Sequence, residues 1–198
     1  MKKLIITGLV LSASIIGFAQ NKKVLPKEIQ IKMATQVAPE EDREGAKVWG
    51  YNEEGEMIVL QKGTNNLICL ADDPNKEGIK VSCYGKQLEP FMKRGRDLKA
   101  EGKKKTMELR EIREKEAKSG KLKMPDAPSM LYILTGAEEN LNMETGELRE
   151  SDIRYVVYTP FATLESTGLP AKPHKPGMPW LMDPGTHRAH IMITPPKK

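Results

Sequence analysis

The sequence predicts a single α+β domain: a mostly antiparallel sheet, one long charged helical segment and one disulfide. Three observations carry this reading. Short apolar runs recur between turn signals, as in MIVL, LICL, IKVSC, SMLYILT and IRYVVY. Residues 88–119 abandon that pattern for dense charge and good helix formers. Helical and strand signals alternate little, so the βαβ rhythm of a parallel sheet is missing.

The chain opens MKKLIITGLVLSASIIGFAQ. Lys2 and Lys3 form a positive start, Leu4 to Phe18 is apolar or small, and Gly17 and Ala19 suit a signal peptidase. This predicts a signal peptide over 1–19 and a mature chain over 20–198 that begins at Gln20. The apolar stretch is short for a membrane span, and no later segment approaches the roughly 20 apolar residues that a span needs. No transmembrane segment is therefore expected in the mature protein, which is read as exported to the periplasm or medium. No cysteine follows the apolar run, so a lipid anchor there is not expected.

The 198 residues include 32 Lys and Arg against 27 Asp and Glu, a formal charge of +5 that shrinks when Lys2 and Lys3 leave. The signs are mixed, and few aromatics interleave with the basic residues. This composition excludes a nucleic-acid binder of any recognisable type.

Residues 26–38 (PKEIQIKMATQVA) carry two signals. Ile29, Ile31 and Met33 alternate as in a strand, whereas Pro26 and the helix formers after it favour a helix, which is the expectation adopted. AKVWGY and EMIVLQK, joined by NEEG, read as a hairpin. GTNN makes a second turn, and LICLA a third strand. Met57–Leu60 and Leu67–Leu70 are unbroken apolar runs, the pattern of strands covered on both faces. IKVSCY follows. Within 88–119, Phe91, Leu98, Leu109 and Ile112 can share one apolar stripe, so this segment is expected to lie on the sheet with its charged side solvated. Gly102 and Lys103–Lys105 mark a break. Strands are expected over Ser129–Thr135, through IRYVVYTPF to Pro160, and near Ala189–Ile193. The polar stretch after Gly136 reads as an exposed excursion, 160–188 as Pro-rich loops, and 195–198 as a tail.

Both cysteines, Cys69 and Cys83, bracket an acidic, Pro- and Gly-containing loop. Outside the cytosol such a pair is expected to be bonded. The spacing lacks the C-x-x-C of redox catalysts, and without a nearby histidine it lacks zinc ligands. Asp73, Asn75 and Glu77 resemble the start of a calcium loop, but Tyr84 stands where an EF-hand needs its glutamate.

Two segments, GTNNLICLADDP with the later Cys83 and PWLMDPGTHRAHIMITPP, resemble matching segments in small exported bacterial proteins of unassigned activity. In those a G-T-N-G-W-x-C-like strand precedes an acidic Pro loop and a second cysteine, and an A-H-I-M-like strand ends the chain. Asn66 and Leu67 replace the Gly-Trp pair here. The resemblance spans the sheet portions, excludes the charged helix, and implies an exported stapled domain without implying any chemistry.

The histidines are His174, His187 and His190. His174 lies among prolines and lysines and reads as exposed. Asp183 precedes His187 across Pro184-Gly185, so a His190–Asp183 or His190–Glu165 pair could act as a hydrolase's base and its orienter. Ser151, Ser166 and Thr186 could be nucleophiles, but none sits in a nucleophile-elbow motif. Met182, His187 and His190, beside Met178 and Trp180, could serve a copper-type carrier, although Met is also a core gap-filler. Trp180, Asp183, His187 and His190 together form the expected ligand-binding surface of a non-catalytic module, the first of the three readings. The ligand, cofactor and partner are not legible.

Overall fold

The computed structural model describes residues 24–103 and 105–197. The expected signal peptide, over residues 1–19, falls outside the described residues. Eight strands form one sheet in the order β2-β1-β3-β4-β5-β6-β8-β7. They are β1 (Lys47–Tyr51), β2 (Met57–Gln61), β3 (Leu67–Leu70), β4 (Ile79–Gly85), β5 (Ser129–Gly136), β6 (Asp152–Tyr158), β7 (Trp180–Met182) and β8 (His190–Ile193). All neighbours are antiparallel except β1 and β3, which run parallel. The fold class read from the sequence is the one observed.

Alternation along the central strands feeds two cores, one on each face of the sheet. Val81 and Cys83 of β4 join Met33, Ala34, Val37 and Val48 on one face. Tyr84 of β4 joins Leu88, Phe91, Leu131, Val156 and Tyr158 on the other. The first face is covered by α1 (Lys27–Thr35), which settles the ambiguous 26–38 segment as helix with Pro26 at its N-cap. One polar residue of α1 turns inward. The buried Gln30 amide accepts from the Tyr51 N–H at 2.8 Å and donates to the Tyr51 carbonyl at 2.9 Å. It thus completes the β1 edge beyond the last residue that β3 pairs.

The second face is covered by the charged segment, which divides as expected into α2 (Glu89–Ala100) and α3 (Thr106–Lys118). Phe91, Leu98 and Leu109 of the expected stripe are buried and Ile112 half-buried. Gly102 takes φ +85 just past α2, a backbone state that costs glycine little. A two-pronged ion pair holds the helices together: Arg94 donates from Nε and Nη2 to the Glu116 carboxylate at 2.9 and 2.8 Å.

Cys69 and Cys83 are bonded, directly opposite each other on β3 and β4 with Cα atoms 4.0 Å apart. Both are fully buried beneath α1. The staple therefore sits inside the core as well as closing the Asp72–Gly78 loop. Among the described residues no helix is long and apolar enough to cross a membrane.

The structure corrects several expectations. The stretch 160–188, expected as Pro-rich loops, holds a short helix over Leu164–Thr167 and strand β7. The polar stretch after Gly136, expected as an exposed excursion, buries Leu148 in the core. The run Met57–Leu60 is not covered on both faces: β2 is the sheet's edge, and Met57, Ile58 and Val59 are each exposed by more than a third. Composition alone reports apolarity; it does not report a strand's position in the sheet.

Candidate functional site

The sequence's candidate residues gather around the β7–β8 hairpin, where Met182 pairs with His190 and Trp180 with Met192. Residues 183–189 form its turn, and local polar contacts shape it. The Thr186 hydroxyl donates to the Asp183 carbonyl at 2.8 Å and accepts the Arg188 N–H at 3.1 Å. Asp183 holds a positive φ of 52°, and its carboxylate pairs with Arg188 at 3.2 Å. The turn is sewn to the segment after β6 by backbone bonds from Thr159 to Ala189 and from Phe161 to Thr186.

His187 in the turn and His190 at the start of β8 both lie in the interior. His187 is 1% exposed and meets the Phe91 ring edge-on at 5.8 Å. Its Nδ1 lies 3.8 Å from the Glu114 carboxylate of α3, and neither ring nitrogen has a hydrogen-bond partner. The Arg113 guanidinium stacks on the same Phe91 ring at 4.4 Å. Burial, helped by Arg113 and Arg188, pushes the His187 pKa down to about 4 against the pull of Glu114 and Asp183. His187 is thus neutral near pH 7.

His190 is also buried. Its Nδ1–H donates to the Arg188 carbonyl at 2.6 Å, and its ring packs on Tyr158 at 5.2 Å. Burial lowers its pKa as well. This is an interior histidine held by a main-chain carbonyl, not an imidazole presented to solvent.

The hydrolase geometry is not assembled around it. Asp183 is committed to Arg188. Glu165 is exposed in the first turn of the short helix α4 (Leu164–Thr167), where Thr163 and Ser166 make a reciprocal capping box. The Ser166 hydroxyl accepts the Thr163 N–H at 2.9 Å, and the Thr186 hydroxyl is spent on the turn. For a metal, Met182 and His190 stand opposite in register while His187 turns toward α3. Among the described residues no group of three or more His, Cys, Asp or Glu side chains is placed to hold a metal ion.

Trp180 has a different fate. It lines a surface groove of about 500 Å³ between residues 173–180 and the C-terminal segment 194–197. Pro173, Pro176, Met178, Pro195 and Pro196 supply an apolar wall, and His174, Lys175 and Lys197 a basic rim; no acidic side chain lines it. Gly177 closes the groove's base, donating its N–H to the Thr194 carbonyl at 2.9 Å. Lys197 also pairs with Asp152 at 3.1 Å. Of the four expected ligand contacts, then, Trp180 faces an open groove, Asp183 is half-buried in an ion pair, and His187 and His190 are interior. The prolines around Trp180 are the sequence signal for this groove. Proline is common in plain loops as well as in such grooves, so the pattern alone predicts a loop.

No family model, curated protein or solved structure matches this chain.

Proposed function

We propose that this chain is an exported, disulfide-braced binding module that holds a small ligand with an apolar face and a negative charge in the Trp180 groove. The observation that carries the reading is the groove's composition: a tryptophan, a methionine and prolines beside Lys175, Lys197 and His174, with no carboxylate in the lining and with Asp152 pairing Lys197 from outside it. Concave, mainly apolar surfaces with a few convergent polar groups are where small ligands bind. Trp, Met and Pro offer flat, stiff or polarizable contact, while the rim favours an anion. Export is supported by the leader pattern of residues 1–19 and by the disulfide.

The test is calorimetry with phenylbutyrate, an aromatic carboxylate without other functional groups. Saturable binding is expected, weakened at least about tenfold by Trp180→Ala and by a smaller factor by Lys175→Glu. Trp180 sits half-exposed on an edge strand, so its truncation leaves both cores intact. Unaltered affinity in Trp180→Ala, or no binding to the parent protein, would remove the groove from the function.

A further inference from the structure

The two edges of the sheet are treated differently. At the β7 edge, the chain covers itself: the Leu181 N–H donates to the Pro170 carbonyl at 2.9 Å. At the β2 edge, no such cover exists among the described residues.

The direction of the β2 backbone groups follows from β1. The Tyr51 N–H and carbonyl are both taken by the Gln30 side chain, so they point away from β2. The Trp49 carbonyl accepts from the Ala71 N–H at 2.8 Å, again away from β2. Their antiparallel partners are Met57 and Val59. Opposed residues in such a ladder exchange both bonds or neither. Met57 and Val59 therefore aim their N–H and C=O groups outward, two residues apart, which is the spacing another antiparallel strand requires.

The side chains add to this. Met57, Ile58 and Val59 are 36%, 39% and 40% exposed, large apolar residues on consecutive positions. The flanks carry opposite charge: Glu53, Glu54 and Glu56 precede the strand, and Lys62 follows it. An antiparallel second copy would set the acidic end of each strand beside Lys62 of the other, twice by symmetry. Two-fold self-pairing is the commonest oligomer symmetry and needs only a self-complementary patch. Charged flanks and the one-residue register shift at Leu60 are also devices that discourage edge pairing. The opposite signs at the two ends nevertheless favour an antiparallel copy over a parallel one.

We infer that β2 is a homodimer interface, in which two copies pair antiparallel through Met57 and Val59 to make one continuous sheet.

The test is sedimentation velocity on the full exported chain, disulfide intact. The parent protein is expected to sediment as a concentration-dependent dimer. Val59→Lys, at an exposed position facing its own copy, should weaken the dimer at least about tenfold, while Val59→Thr should keep it. Lys62→Glu should weaken it, and the added change Glu56→Lys should restore it, because the charge pairing is then merely reversed. Unchanged circular dichroism would certify each variant's fold. A parent chain that stays monomeric at its highest soluble concentration, including one that accepts an extended segment of another protein at this edge, overturns the inference. So does a dimer that Val59→Lys leaves intact.

Discussion

Replacing Cys69 and Cys83 together by alanine should cost about 3 kcal/mol of unfolding free energy, the value expected for releasing a loop of this length. For a chain of this size that corresponds to a fall of roughly 6–12 °C in melting temperature. The loop term acts on the unfolded chain, which regains the freedom of the segment between the two positions. A second contribution comes from the folded state. Both sulfurs are fully buried between β3, β4 and α1, with the Cys83 sulfur 3.2 Å from the Ala34 carbonyl oxygen. Their removal leaves a small void where α1 meets the sheet. The same burial predicts that dithiothreitol will not reduce the native protein at the rate of an exposed disulfide, since the thiolate must reach a sulfur that the fold covers. Thermal melts of the double variant, and alkylation after brief native reduction, check the two statements. An unchanged melting temperature would mean that the bond contributes nothing to the sheet it crosses.

The second large effect is a loss of stability in mild acid. His187 has its folded pKa pushed down to about 4 from an ordinary 6.5. Between those values the unfolded chain takes up a proton that the folded site refuses, so unfolding gains as pH falls. The contribution is fully present above about pH 6.5, is lost progressively as pH drops toward 4, and does not change further below that. Each tenfold change in proton affinity is worth about 1.36 kcal/mol, so the loss is about 3 kcal/mol, the pull of Glu114 already included in the folded value. The effect can be separated from other titrations by comparison with His187→Leu. Urea denaturation of both proteins at several pH values should give curves that diverge by that amount across the window. His190 titrates in both and cancels. Parallel curves would show that His187 is protonated inside the fold at little cost, and the reading of it as a neutral interior group would fall.

Much of the architecture was legible because strands report themselves locally. LICL, IKVSCY, SMLYILT and IRYVVY each carry enough apolar side chains for one or two buried faces, and each is a strand. The split of residues 88–119 was legible from Gly102 and the lysines after it. The cysteine pairing followed from the export pattern rather than from spacing. Sheet order left no such local trace. The parallel β1–β3 contact follows a hairpin that reads as ordinary, and the exposed position of β2 is set by what fails to pair with it. Strand β7 has three residues between Pro179 and Pro184, too few for a period. The site divided in the same way. Trp180 could be singled out as an unusual aromatic in a Pro-rich stretch, and it does line a groove. The fate of His187 depends on Phe91 and Glu114, far away in sequence, and nothing in THRAH forecasts that an imidazole there turns inward. Gln30 is the clearest residue that pattern reading passed over: a glutamine in a helix gives no sign that its amide will complete a strand edge.

We propose an exported chain whose two cysteines brace a sheet that carries a ligand groove. Its most direct test is mass spectrometry of non-reduced protein recovered from the periplasm or medium of the producing cell. A mature N-terminus at Gln20 and a single linked peptide pair containing Cys69 and Cys83 are expected. Protein found only inside the cell, with Met1 retained and both thiols open to alkylation, would contradict it.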